Sequence, residues 1–441
     1  MPGTFSALAA RLEAARLTRA VPGASLAILD DGRLVTAAAG VTNVMTGVPV
    51  TPQSLFQTGS ITKVWTAALV MQLVEERALS LDTAIDDVLP APRGGASASS
   101  FGTATVRHAL SHMSGIDGDF FTDTGRGDDC LERYVELCRT HQMIFKPGTG
   151  VSYSNAGYVV LGRIIELLTR RSWDRALAER LIEPLGLRAT VTLPEEALRF
   201  STAIGHFSGE PADPWSLPRS NGPAGAICAT AADVVAFARA FLPDPPVSIL
   251  SADGIGRMRC LEGRLPYAVP WPLRGWGLAW EIYDWGGTTG FGHGGRSAGQ
   301  NAYLRILPEH NAVFVLLANG GDSRALFEDM FTAEAAERWN CDVTHYLPSS
   351  DTQPCNDGLL DGMYARLGTR LTVSSSSTGA ELVVTDTRIT GESERHAVVR
   401  SEDGGVYART SASGVLSPLS LIDIAGESYL HFGMRANRRI P

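Results

Sequence analysis

The sequence predicts an α+β protein that ends in a small all-β module. Three observations carry that prediction. Segments with helical apolar spacing alternate with short apolar segments up to about residue 340. One of the short segments, residues 313–318, is a continuous apolar run of strand length, which predicts a fully buried strand. Near Cys341 the chain changes character and breaks into short segments at 371–373, 381–384, 396–400, 405–410, 416–424 and 429–434, each bounded by Gly, Ser, Asp or Thr. Six or more short strands at this spacing predict an antiparallel barrel of about 90 residues. The domains are then 1–345 and 346–441, with residues 346–356 as the linker.

Taken in order, residues 1–17 carry an amphipathic helical pattern through Phe5, Leu8, Leu12 and Leu17. Residues 24–29 and 34–39 flank Asp30-Asp31-Gly32, a hairpin signature. Gly59 opens a turn, Ser60 stands at an N-cap position, and a helix runs to about Arg77. That helix is apolar nearly all round after Lys63, so it is expected to be buried. Residues 91–100 read as a surface loop. A helix is expected to start after Thr105 and stop at Gly115. Residues 117–129 read as a loop, 130–141 as a helix, 147–150 as a turn, and 158–168 and 175–187 as helices. Thr230 and Asp233 cap a helix to about Leu242. Residues 273–282 read as one strand, 286–295 as a Gly-rich connection, 301–307 as a strand, and 325–339 as a helix.

Composition narrows the function. The chain has 441 residues, 44% hydrophobic and 19% charged, with a formal net charge of −9. No Lys/Arg-rich block is present, which argues against nucleic acid or an anionic membrane as partner. The six cysteines, Cys130, Cys138, Cys228, Cys260, Cys341 and Cys355, are scattered, so neither a zinc site nor a disulfide framework is expected. No metal or cofactor is implied. Residues 1–17 lack a signal-peptide core, and no run of 18 apolar residues occurs; the expected location is the cytoplasm.

The residues that could carry chemistry lie in three places. Ser60 and Lys63 are three apart, so a helix puts them on one face. A lysine beside a serine at a buried helix end loses solvation, and as its pKa falls it can accept the hydroxyl proton. Tyr153-Ser154-Asn155 follows a Pro-Gly turn. A tyrosine near a lysine ammonium could drop from about 10 and act as a base, and Asn155 could hold the lysine or a substrate amide. Gly292-His293-Gly294-Gly295 leads toward a strand, and its glycines would let a substrate backbone lie close. Residues 223–226, ahead of the Thr230 helix, are a weaker fourth signal.

Together, S-x-x-K (Ser60, Lys63), Y-x-N (Tyr153, Asn155) and H-x-G (His293, Gly295) in this order resemble the serine β-lactamase and penicillin-binding-protein superfamily, in its class-C-like branch. The resemblance covers about residues 5–340. It implies a sheet built from N- and C-terminal segments, a helical insert, and a site between them. It further implies Ser60 as nucleophile, Lys63 as its activating partner, Tyr153 as relay to the leaving group, and Asn155 and His293 in support. The oxyanion donors would be the backbone N–H groups of Ser60 and Arg296, with Gly294 and Gly295 along the substrate.

His293 stands where K-T-G places a lysine, which weakens the attraction for a β-lactam carboxylate. Nor is there an E-x-x-L-N segment of the kind class A enzymes use for deacylation. The histidine and the C-terminal barrel, lipocalin-like in outline, look like penicillin-binding-protein-type thioesterases that cyclise nonribosomal peptides, and like D-aminopeptidases. The first expectation is therefore an acyltransferase. It would take a peptidyl group ending in a D-residue from a carrier-protein thioester onto Ser60 and release it as a macrolactam. The alternative is release to water, by a D-aminopeptidase, D-Ala carboxypeptidase or esterase; a third reading is an idle binding protein. The last strand, read as 429–435, should turn Leu430, Phe432 and Met434 into the barrel and Tyr429, His431 and Arg435 outward, which makes Arg435 the candidate cation for a substrate carboxylate or carbonyl.

Overall fold

The computed structural model describes residues 2–92, 101–267, 272–343, 351–356, 358–387, 393–402, 404–410 and 414–441. The predicted loop at 93–100 and linker residues 346–350 lie outside the described residues, as does the side chain of Phe5.

An eight-stranded antiparallel sheet forms the frame of the first domain. Its order is Arg33–Gly40, Gly23–Asp30, Ala312–Ala318, Asn301–Leu307, Thr289–Arg296, Glu281–Asp284, Leu273–Trp276 and Gly263–Arg264. The N-terminal hairpin thus pairs with the buried C-terminal strand, with Leu26 opposite Leu316 and Ile28 opposite Phe314. Strand alternation sends the residues of these two strands to two different cores. Leu26, Ile28, Phe314 and Leu316 pack with Leu8 and Leu12 of the helix Pro2–Thr18 and with Phe327 and Phe331 of the helix Ser323–Trp339. Ala27, Leu29, Val313, Val315 and Leu317 face the helical insert, where the helix Thr62–Glu75 is buried along most of its length and Trp65 stacks on Phe237, centroids 3.7 Å apart.

Several segments depart from expectation. Residues 273–282 are two strands, Leu273–Trp276 and Glu281–Asp284, because the chain turns between them with Ala279 at φ 72°. The Gly-rich connection is itself a strand, Thr289–Arg296. The helix after Thr105 spans only Val106–Leu110, since His112 adopts φ 60°. Conversely the next helix starts early, as Asn155–Thr169, with Ser154 capping the Gly157 N–H at 3.0 Å. The helix at 175–187 is Trp173–Leu177 continued by a wider turn, Ala178–Ile182.

The C-terminal module closes as an eight-stranded antiparallel barrel from Gly362–Arg366 to Arg435–Ile440, with Thr352–Pro354 added on Ser393–Ser401. Its first and last strands were not expected. Tyr364, Leu371, Val373, Leu382, Val398, Leu419 and Leu430 fill it. The strand at 429–435 is cut by a turn: Glu427–Phe432 ends, Met434 takes φ 64°, and Arg435–Ile440 begins. Met434 consequently leaves the barrel and packs toward Tyr153 and Trp276 of the first domain. The two domains share a polar seam: Tyr153 N–H donates to Met434 O at 2.9 Å, Ala436 N–H to Ser152 Oγ at 3.2 Å, Leu367 N–H to Asp117 Oδ2 at 2.7 Å, and Tyr429 Oη–H to Ile144 O at 2.9 Å.

Candidate active site

Gly59 sits at φ 52°, and a Cβ there would lie 2.6 Å from Arg296 N. Across the contact, a Cβ on Gly295 would lie 1.9 Å from Thr58 O. Only glycine at both places lets the Ser60 turn press against the end of the strand Thr289–Arg296. Ser60 falls in a 3₁₀ turn, Gly59–Ile61, ahead of the helix Thr62–Glu75, and the cap positions of both make no side-chain cap bond. The expected N-cap role is therefore not what Ser60 does. Its hydroxyl faces Lys63 and Tyr153 instead.

Lys63 Nζ donates to Ser60 Oγ at 3.0 Å and to Ala224 O at 2.7 Å, and the residue is fully buried. Burial holds its pKa well below the ordinary lysine value; Arg435 pushes the same way and Asp119 against. Of the 38 basic residues only two are lysines, Lys63 and Lys146. An arginine cannot be neutral in a protein, whereas a desolvated lysine can.

The Tyr153 phenol is pushed up by burial, against the Ser60 hydrogen bond and the Arg435 charge. The expected drop toward phenolate is reversed, so Tyr153 stands as a phenol beside Ser60 and Lys63. The Lys63 Nζ lies 4.9 Å from the Tyr153 ring centroid. His112, which sequence reasoning did not single out, backs the same ring at 4.3 Å and accepts the Ser154 N–H at 3.0 Å through Nδ1. Asn155 is buried at the start of its helix, but the hydrogen bonds of Lys63 go to Ser60 and Ala224, not to the Asn155 amide. The expected hold of Asn155 on Lys63 is therefore not made.

His293 is 1% exposed and its Nδ1 meets Gly294 O at 2.5 Å, while its buried Nε2 has no hydrogen-bond partner among the described residues. Burial, opposed by Glu281, takes its pKa down to about 4, so the ring is neutral. Gly294 N–H donates to Glu281 Oε2 at 3.0 Å. Glu281 begins its strand opposite Gly292, so residues 294–296 run past the end of that neighbour. N–H groups two apart on a strand point to the same side. Arg296 N–H therefore points to the same uncovered side as Gly294 N–H, next to the Ser60 turn.

Arg435 reaches this cleft from the barrel. Its guanidinium lies 5.0 Å from the Tyr153 centroid and is bound to Asp119, Nη2 to Oδ1 at 2.9 Å and Nε to Oδ1 at 3.2 Å. Arg366 of the barrel also pairs with Asp119. Asp119 had no sequence signal, because its partners lie more than 240 positions away. The Ala224 carbonyl falls within the 223–226 segment that the sequence marked only weakly.

A fold of this kind, with a serine beside a buried lysine whose pKa is lowered, set against an open strand end, defines a serine acyl-enzyme class. The Beta-lactamase family model matches residues 9–337, and the chain belongs to that family. It is 45% identical over 369 residues to penicillin-binding protein 4 of Amycolatopsis lactamdurans, covering 81% of this chain and 97% of that protein. It is 29% identical over 297 residues to a D-aminopeptidase of Brucella anthropi, covering 63% of this chain and 52% of that one. Among solved structures, SurE with D-Leu matches with a TM-score of 0.78 and 31% identity over 100% of both chains. Among the described residues, no helix is long and apolar enough to cross a membrane.

Proposed function

We propose that this chain takes a peptidyl group with a C-terminal D-residue onto Ser60 and releases it as a head-to-tail macrolactam. Neutral Lys63 accepts the Ser60 proton as Oγ attacks the thioester carbonyl. The N–H groups of Ser60 and Arg296 hold the developing oxyanion in a site shielded from water. On collapse the thiol leaves, taking a proton relayed through Tyr153 from Lys63. The amine at the peptide's own N-terminus then attacks the Ser60 ester, gives its proton to the same relay, and forms the amide as Ser60 is restored. Holding that amine by the carbonyl is worth several orders of magnitude in effective concentration, which lets it outrun water. Asn155 holds a substrate amide, Gly294 and Gly295 leave room for its backbone, and Arg435 offers donors to a carbonyl near the D-residue.

The observation that carries this reading is the full-length match to SurE with D-Leu, which includes the barrel as well as the catalytic domain. A second reading, release to water, is favoured by the D-aminopeptidase relative. A neutral His293 in place of a cationic lysine argues against β-lactam carboxylates as the natural ligand. The test is a panel of peptidyl thioesters, as carrier mimics, that differ only in C-terminal chirality, with products read by mass. Cyclic product from D-ending substrates supports the proposal. Linear acid from both chiralities contradicts it.

A further inference from the structure

Among the described residues, two basic side chains lie close to the Tyr153 ring. Lys63 Nζ lies 4.9 Å from its centroid and the Arg435 guanidinium 5.0 Å. One comes from the catalytic helix, the other from the last barrel strand. Arg435 is not a loose surface side chain. Asp119 takes its Nε and Nη2 protons, and Gly433 O takes a proton from Nη1 at 3.1 Å. The turn that carries it is fixed in turn by the Tyr153 N–H on Met434 O. The barrel thus delivers a fixed positive charge to the far end of the proton relay.

We propose that Arg435 is a positioning residue for the proton relay itself: its charge, clamped by Asp119, adds to burial in favouring the neutral form of Lys63, the form that can accept the Ser60 proton. This rests on the reading of Ser60, Lys63 and Tyr153 as the acylating set, but it is separate from any contact between Arg435 and the peptide. The physical reason is like-charge repulsion beside the Tyr153 ring. An ammonium at Lys63 and a guanidinium at Arg435 oppose each other, and Lys63, fully buried, has little water around it to screen them. The other groups around Lys63 are Ser60 on its own turn, Tyr153 and Tyr158, His112 after the short helix, His293 on the strand, and Asp119 on the loop. Glu281 and Arg305, 3.9 Å apart, complete the surroundings of Tyr153 and His293. His112 and His293 are held neutral by burial, Arg305 pairs with Glu281 and Arg366 with Asp119, so Arg435 is the cation that acts on Lys63 and Asp119 the opposing carboxylate. Consistent with this placement, the Arg435 charge lowers both Lys63 and Tyr153.

The sign follows directly. Acylation needs neutral Lys63, so its rate falls as pH drops through the Lys63 pKa. Removing the Arg435 charge raises that pKa and moves the acid limb of the rate profile to higher pH. The test uses p-nitrophenyl acetate, a small ester with no peptide for Arg435 to hold. Ser60 takes the acetyl group, nitrophenolate leaves, and the serine proton goes to Lys63. The burst rate is followed against pH for the full-length protein and three variants. Arg435→Gln is expected to shift the acid limb up by about one pH unit, a loss of about tenfold well below the limb. Arg435→Lys keeps the charge and holds the limb within about 0.3 unit of the parent. Arg366→Gln cuts the other Asp119 tether and keeps the Arg435 guanidinium, and it is expected to leave the limb where it was. A limb that stays put in Arg435→Gln, or one that moves equally in all three variants, overturns the proposal. A burst with the small ester but no cyclic peptide product in the thioester panel overturns the cyclase reading and leaves this inference standing.

Discussion

The Ser60 turn and the Gly433–Arg435 turn meet at one ring, Tyr153, and they are held there by opposite means. The Ser60 turn is fixed by backbone contact so tight that a Cβ on Gly295 would fall 1.9 Å from Thr58 O. The barrel turn is fixed by polar contacts at an inter-domain seam: the Met434 carbonyl, the Asp119–Arg435 pair and the Arg366–Asp119 pair. Steric locking gives a geometry with one solution, which suits bond-making atoms. A polar seam can be retuned residue by residue, which suits selection of substrate and of charge state. Changes on the first side should therefore cost rate in an all-or-none way, and changes on the second should move profiles and selectivity.

The largest effect is expected from Ser60→Ala. Turnover and acyl-enzyme should fall by about 10⁴-fold or more, while Tm stays within about 3 °C, because Ser60 caps no helix. Lys63→Arg should be nearly as severe despite keeping a cation, since a guanidinium cannot give up its proton. Rate retained in Lys63→Arg would mean that a positive charge, not a neutral base, is what the site needs.

Next comes Tyr153→Phe, expected to slow acyl transfer by about 10²–10³-fold through loss of the relay proton. Gly295→Ala belongs beside it. The added carbon must push the strand end off the Ser60 turn, so kcat should drop by about 10²-fold. A mild Gly295→Ala would show that the two backbone segments are not locked as described.

How much of this could be read in the chain follows the same division. Ser60 and Lys63 are legible because one helical turn relates them, and Tyr153, Asn155 and His293 because the order of short patterns fixes them. The sheet was legible where strands are continuous, as at 313–318. It was not legible at 286–295, where glycines that signal a loop in isolation serve a strand that another backbone must touch. Nor could residues 427–440 be read correctly: the alternation runs on through Met434, and only the φ of 64° shows the turn. Asp119 is the clearest case of information absent locally, since its role depends on Arg366 and Arg435. The direction of the Tyr153 shift was missed because burial outweighs the neighbouring charges.

Smaller effects test the seam. His293→Asn should leave the pH profile unchanged between about pH 5.5 and 8, since a ring with its pKa near 4 is already neutral there. A profile that flattens in that range would make His293 a titrating participant. Smallest of all, Tyr429→Phe removes a hydroxyl shared between Ile144 O across the seam and Glu427 Oε2 on its own strand, and should cost about 1 kcal/mol of stability with kcat nearly unchanged.

The measurement that bears most directly on the account is the intact mass of the protein after brief exposure to a peptidyl thioester ending in a D-residue. The account predicts a single added peptidyl group located on Ser60, absent from Ser60→Ala, that decays to cyclic peptide when the substrate's N-terminal amine is free and persists when that amine is blocked. An adduct on another residue, or one that decays equally fast to linear acid whether or not the amine is blocked, would contradict it.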